Sequence, residues 1–362
     1  MRVLAWVPQE LDTSPGQRFR IEQWAPHLRR EQIELVWSPF SDESLGRALK
    51  LRGHVAAKSW GVLRALAARL RDAWRAKEFD LVYIFREGAL LGPALAERVL
   101  RWAGVPWVFD FDDAVWVRYV SPANSYLSYL RFPGKTAFLC RHAREVMAGN
   151  AYLRDYAARF NPSVAVVPTT IDTETDRPLP PRAAAPPTIG WTGSYSTEKY
   201  LDLVRPALER LRRRREFRLV VVGGGAFRAD GVEVEHRPWR AETETADLAD
   251  LDIGLMPLPD ADWERGKCGL KALQYMALGL PVVVSPVGVN AEIVGDGRSG
   301  LLARTPAEWE EALERLLADA DLRRRLGVEG RATVERSYSA EVVAPRVAEI
   351  FRRAAAVRPG AA

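Results

Sequence analysis

Short apolar runs alternate along the chain with longer stretches whose apolar residues recur every three or four positions. The runs Arg2–Val7, Ile33–Ser38, Leu81–Phe85, Trp107–Phe111, Glu145–Ala148 and Val164–Val167 predict strands. Between them, Arg20–Arg30, Ala57–Lys77 and Gly92–Ala103 have helical periodicity. In the second of these, Leu63, Leu66, Leu70 and Trp74 predict one apolar face. Arg64, Arg71, Arg75 and Lys77 then lie on the surface. Strand–helix alternation predicts parallel strands joined by crossover helices.

The pattern breaks at 177–188, where five prolines fall without periodicity. Proline fixes φ and cannot donate to a strand ladder, so this is read as a linker. Alternation restarts with strands at Thr188–Trp191, Arg218–Val222, Val232–Glu235, Ile253–Pro257 and Pro281–Ser285. Helices are expected at Tyr200–Arg214, Lys267–Leu278 and Ala307–Leu317, with a helical tail from Asp321 to Ala356. The expected organisation is an α/β domain over 1–176, the linker 177–188, a second α/β domain over 189–340, and a terminal helix over 341–362. Two such domains facing each other would form a cleft, a common place for a ligand.

Composition narrows the class. The 362 residues suit two domains at roughly 150 residues each. Hydrophobic residues at 48% and charged residues at 27% are ordinary for a globular protein and exclude a disordered or fibrous chain. Cys140 and Cys268 are too few for a disulfide framework and fit a reducing compartment. No apolar run approaches the roughly 18 residues of a membrane span. The first apolar run ends at Pro8, too early for a secretory leader. A cytoplasmic protein is expected.

The net charge of +5 is uneven. Residues 45–77 hold nine basic residues and one acid, Asp72, with Trp60 and Trp74 among them. Such a basic stretch suits a solvated face, or can face phosphates, nucleic acid or an anionic membrane at the inner face of the cell.

The sharpest candidate chemistry lies at 266–274. There a strand is followed by the loop Gly266-Lys267-Cys268-Gly269 and a helix carrying Lys271 and Gln274. Free backbone amides at a helix start favour anions, and glycine lets the backbone approach them. Lys267 and Lys271, four residues apart, would share one helical face if the helix began that early. After the first strand, Thr13–Arg20 offers Gly16 for backbone contact with a phosphate and Arg18 for phosphate or acceptor. Asp112 and Asp113 follow the strand 107–111, at the end where parallel sheets place ligands. They could hold an acceptor hydroxyl, act as base, bind a divalent metal or cap a helix. Arg86 and Glu87 end the preceding strand and would line the same mouth. Gly223-Gly224-Gly225 lacks the dinucleotide spacing. The four histidines, His27, His54, His142 and His236, have no metal spacing. No Gly-x-Ser-x-Gly or Walker sequence is present.

Three blocks carry a family likeness: Leu273-Gln-Tyr-Met-Ala-Leu-Gly-Leu-Pro-Val-Val283, Gly193 after the first strand of the second domain, and Gly297-Arg-Ser-Gly-Leu-Leu302. With Ser14-Pro-Gly-Gln-Arg-Phe-Arg20, they make the chain resemble a glycosyltransferase of the GT-B fold, of the group 1 or family 4 type. The resemblance implies two Rossmann-like parallel-sheet domains facing a cleft, acceptor on the first and nucleotide sugar on the second. The C-terminal helix would cross back to the first domain. It implies a retaining transferase with no cofactor and no metal. The family's paired glutamates, one for the donor sugar and one for the ribose, fall here on Gly266 and Gln274. Gln274 can still bond a ribose as donor and acceptor. The basic residue that follows the family's glycine is Ser194 here, with Lys199 as a weak substitute. Trp239 sits where the family's loop meets the base and could stack on it, or belong to the core.

The resulting expectation is transfer of a sugar from a nucleotide-diphosphate sugar to an acceptor hydroxyl, in polysaccharide or glycoconjugate synthesis. Asp113, Asp112 and Lys271 would be catalytic. Gly16, Arg18, Gly193, Trp239, Gly266, Lys267, Cys268, Gly269, Lys271 and Gln274 would bind the donor. The acceptor would be a sugar or lipid-linked, and no nucleic acid partner is expected. A non-catalytic assembly protein on the same fold and a nucleotide-sugar epimerase are the alternatives.

Overall fold

The computed structural model describes residues 1–51, 53–90, 92–117, 132, 134–178 and 186–356. Most of the expected linker, 179–185, and the end of the expected terminal helix, 357–362, lie outside the described residues. The chain divides into two compact units, Met1–Thr169 with Val343–Ala362, and Thr170–Val342.

The first unit is built on a six-stranded sheet: β1 (Arg2–Val7), β2 (Glu34–Pro39), β3 (Leu81–Phe85), β4 (Trp107–Phe111), β5 (Glu145–Ala148) and β6 (Val164–Val166). The order is β2-β1-β3-β4-β5-β6 and every pairing is parallel. Trp6, Tyr83, Phe85, Phe109 and Phe111 are fully buried on the central strands. Continuous apolar runs are what a sheet covered on both faces requires. The helix Ala340–Ala356 buries Ala344, Val347, Ala348 and Phe351, and the Phe351 ring lies 5.6 Å from Tyr83.

The second unit has its own parallel sheet: β7 (Thr188–Thr192), β8 (Arg218–Val222), β9 (Val234–Arg237), β10 (Ile253–Met256), β11 (Val282–Val284) and β12 (Gly300–Leu302). The order β12-β11-β10-β7-β8-β9 puts the first strand, β7, in the middle. The chain winds outward from β7 in both directions, so the switch point lies between β7 and β10. Loops at the C-terminal ends of these two strands are where such sheets bind ligands.

The long basic helix departs in part from its expected orientation, although Arg64, Arg71, Arg75 and Lys77 are exposed as expected. It spans Val55–Arg75, and its buried residues are Lys58, Arg69 and Ala73, while Leu63 and Trp74 are exposed. The Arg69 guanidinium donates to Gly88 O (2.7 Å), Ser38 O (3.0 Å) and Ser38 Oγ (2.6 Å), and stacks 4.7 Å over the Trp6 ring. Backbone carbonyls satisfy the buried charge, so Arg69 turns in. Leu63 turns out, while Leu66 and Leu70 are half-buried and Leu66 packs against Phe40, Leu45 and Ala89. Desolvation lowers the Arg69 group to about 10, against the opposing pull of Asp72 and Glu97.

A second buried arginine fixes the start of the chain. Arg20 lies in a π-helical kink, Arg18–Glu22, and forms a two-pronged pair with Asp110 at 2.9 and 2.6 Å. Its third donor reaches Val167 O at 3.0 Å, and Tyr83 donates to the same carboxylate at 2.6 Å. Burial pushes the Asp110 carboxyl up, against the guanidinium and the two side-chain hydrogen bonds.

Candidate donor and acceptor sites

In the second unit the chain leaves β10, forms a short helix at Asp262–Arg265, and passes through Gly266-Lys267-Cys268-Gly269 into the helix Leu270–Ala277. Gly269 is the residue before that helix, with φ +72°, and a Cβ there would collide with Ile293. Only glycine fits this left-handed, crowded turn. The helix therefore starts after Lys267, and the expected shared face of Lys267 and Lys271 does not form. Lys267 instead lies 4.8 Å from the Trp263 ring.

Lys271 is in the first turn, its ammonium 5.1 Å from the Trp191 ring at the end of β7. Trp191 is buried, and Gly193 accommodates it, since a Cβ there would lie 2.5 Å from the indole. Gln274 follows one turn later and is only 5% exposed. Lys271 and Gln274 thus share a helix flank, as their spacing of three requires. Cys268 is buried and its thiol lies 3.6 Å from Gly266 O.

Gly193, Gly223 and Trp239 come together. A Cβ on Gly223 would strike Gly193 O and lie 3.1 Å from Trp239 Cβ. Trp239 is half-buried, and its Nε1 donates to Glu244 at 2.9 Å, so it is not a core tryptophan. The amides of Gly225, Ala226 and Phe227 all donate to one oxygen of Glu198, at 2.8, 2.9 and 2.9 Å. The amides of that loop are thus satisfied by a side chain of the helical turn Glu198–Leu203. Lys199 is exposed, 5.6 Å from the Tyr200 ring.

In the first unit the C-terminal ends of β1, β3 and β4 are adjacent. Arg86, just past β3, holds both candidate carboxylates: Nε to Asp112 at 2.6 Å and Nη2 to Asp113 at 2.8 Å. Gly16 packs against this group, since a Cβ there would lie 2.6 Å from Arg86 Nη2 and 3.3 Å from Asp112 Oδ2. Arg86 has φ +58°, a costly conformation for a non-glycine residue. Neither Asp112 nor Asp113 caps a helix among the described residues. Arg18 lies 4.7 Å from the Phe19 ring, half-buried near the end of β1. Arg86 places a cation on both aspartates, where a metal would otherwise sit. Activity is accordingly expected to survive EDTA; loss in EDTA with recovery on adding manganese would make the aspartates metal ligands.

Sequence reasoning missed Trp191 as the platform for Lys271. The signal available was an aromatic two residues before the strand-ending Gly193. It also missed Glu198 and Glu264, the latter buried and accepting from the Tyr200 hydroxyl. Carboxylates buried by tertiary contacts leave no local pattern.

Residues 186–319 match the family model of glycosyl transferases group 1. The second unit is a group 1 glycosyltransferase domain. Over 348 residues, 85% of this chain and 79% of the relative, the sequence is 29% identical to a D-inositol 3-phosphate glycosyltransferase of Xylanimonas cellulosilytica. A namesake from a Nocardioides strain is 40% identical over 90 residues, 24% of this chain and only 19% of that relative's length. Among solved structures, the sucrose-phosphate synthase from Thermosynechococcus elongatus superposes with a TM-score of 0.68 at 17% identity, covering 97% of this chain and 98% of that one. Anabaena HepE in complex with UDP-glucose gives 0.65 at 16%, covering 97% and 99%. These neighbours and the two parallel sheets establish the GT-B fold. In the group 1 domain, the loop 266–269 and the helix Leu270–Ala277 lie inside the matched residues.

Proposed function

We propose that the protein is a glycosyltransferase that takes a sugar from a nucleotide-diphosphate sugar and adds it to an acceptor hydroxyl, in polysaccharide or glycoconjugate synthesis. The second unit would hold the donor and the first the acceptor. The observation that carries this reading is Lys271, held in the first turn of a helix that starts at the β7–β10 switch point, with Gln274 on the same flank. HepE, a structural neighbour, is described with UDP-glucose. In this reading the helix amides and Lys271 take the diphosphate, Gln274 the ribose, and Trp239 the base. The acceptor oxygen bonds to the anomeric carbon while the sugar–phosphate bond breaks. Negative charge grows on the departing diphosphate, where a fixed ammonium and helix amides stabilise it. Asp113 would take the hydroxyl proton. Retention is the outcome the family likeness favours, and proton NMR of the product's anomeric coupling reads it.

Lys271→Ala is the test. A charge-assisted bond to phosphate contributes roughly 1.5–3 kcal/mol, so kcat/KM should fall by at least about tenfold. Gln274→Ala should mainly weaken nucleotide binding in calorimetry. Wild-type turnover in Lys271→Ala would move the phosphate contact to Lys267, Lys199 or Arg18. The loss of both family glutamates, at Gly266 and Gln274, favours a second reading, a donor-binding assembly protein without turnover. Nucleotide-sugar binding with no product from any acceptor would identify it.

A further inference from the structure

The helix Val55–Arg75 turns an apolar stripe outward. At 100° per residue, positions 56, 60, 63, 67 and 74 fall within an arc of about 60°. All five are exposed; Trp60 is 71%, Leu63 60% and Trp74 54% exposed. The neighbouring helix Leu95–Trp102 continues the surface: Trp102 is 74% exposed and its ring lies 5.4 Å from Trp74, edge to face. Tryptophan is large and buries a great deal of area, so three on one exposed surface are costly to leave in water.

The charge around this surface is mostly basic. Arg71, Lys77 and Arg101 are exposed and have no ion-pair partner among the described residues. Arg64 and Arg75 lie along the same flank, held only in exposed pairs with Asp42 and Glu78. Such pairs contribute little and exchange readily. The acids within the two helices are turned inward: Asp72 accepts from Ser38 at 2.5 Å and Glu97 is buried. No described helix is long and apolar enough to cross a membrane.

We infer that this face docks the first unit on an anionic lipid bilayer, with Trp60, Trp74 and Trp102 seated at the headgroup level and Arg71, Lys77 and Arg101 facing lipid phosphates. Exposed tryptophan beside unpaired cations is the composition of an interfacial helix. The proposal goes beyond sugar transfer and does not depend on it.

Flotation with vesicles of phosphatidylcholine alone and with added phosphatidylglycerol tests it. The protein should float with the anionic vesicles and not with the neutral ones. At roughly fivefold per basic residue near a charged surface, Arg71→Gln, Lys77→Gln and Arg101→Gln together should weaken binding about a hundredfold, with a marked salt dependence. Trp60→Ser, Trp74→Ser and Trp102→Ser together should weaken it at least about tenfold with the circular dichroism unchanged. Brominated lipids should quench wild-type tryptophan emission and leave that variant's emission largely unaffected. No flotation with either vesicle, equal flotation with both, or wild-type binding by the tryptophan variant would overturn the proposal. A wild-type dimer in sedimentation that the tryptophan variant abolishes, without flotation, would assign the face to a second copy and also overturn it. Calorimetry with nucleotide diphosphate on the same samples keeps this result separate from the donor site.

Discussion

Replacing Asp113 by asparagine is expected to lower turnover by about a hundredfold or more while nucleotide binding is kept. Asparagine retains the size and one acceptor but cannot take a proton near neutrality. The fold should survive, because Arg86 keeps Asp112 at 2.6 Å and remains partly solvated. Asp112→Asn is the comparison: it accepts from Arg86 Nε and should act by positioning, with a smaller fall. The measurement is steady-state kinetics on both variants, with calorimetry and circular dichroism on the same samples. Unchanged turnover in Asp113→Asn would remove it as the base. Loss of the folded state along with activity would assign it to the support of Arg86.

The second large effect falls on stability. Arg20→Met leaves Asp110 fully buried without its cation, which costs about 3–5 kcal/mol. Removing both partners, Arg20→Met with Asp110→Ala, should recover more than half of that, since no buried charge then remains. The pH dependence has a definite sign. Burial already pushes the Asp110 carboxyl up, and loss of Arg20 removes the largest opposing influence. The folded form of the single variant then holds a proton more tightly than the unfolded chain. Its deficit should be smallest at acid pH and grow as pH rises through the raised value. Urea denaturation of the two variants at several pH values checks this. A single variant no less stable than the double would mean that Asp110 is not charged in the fold.

Much of the architecture was legible because buried parallel strands are continuous apolar runs. Arg2–Val7, Leu81–Phe85 and Trp107–Phe111 have the expected bounds. β12 is only Gly300–Leu302, too short to stand out beyond its family block. The helix Val55–Arg75 lies two residues earlier than the expected Ala57–Lys77, and its face is right in part. Arg64, Arg71, Arg75 and Lys77 are exposed and Leu66 packs inward as expected, but Leu63 and Trp74 are exposed and Arg69 is buried. Hydropathy ranks leucine and tryptophan as inward and arginine as outward, and cannot foresee that Gly88 and Ser38 offer carbonyls to Arg69. The start of the 270–277 helix was misplaced by three residues for a related reason. Its start is set by a left-handed glycine against Ile293, a tertiary constraint. Of the candidate site, the residue types were visible and their partners were not. Asp112 and Asp113 stand out as a pair in sequence and Arg86 is expected at the same mouth, yet its bonds to both carboxylates, made from an unusual backbone conformation 26 and 27 positions earlier, leave no sequence signal.

The last helix carries a consequence for biosynthesis. Residues from Val343 onward belong to the first unit, so the second unit, Thr170–Val342, is an insertion between two parts of one core. A ribosome adding about 5–20 residues per second needs roughly 9–35 s to traverse that insertion. Throughout that interval the nascent first unit lacks Phe351 against Tyr83 and Arg353 against Glu145. Its sheet must wait, partly uncovered, while the second unit is made. The sequence of the later-started unit is therefore complete before that of the first.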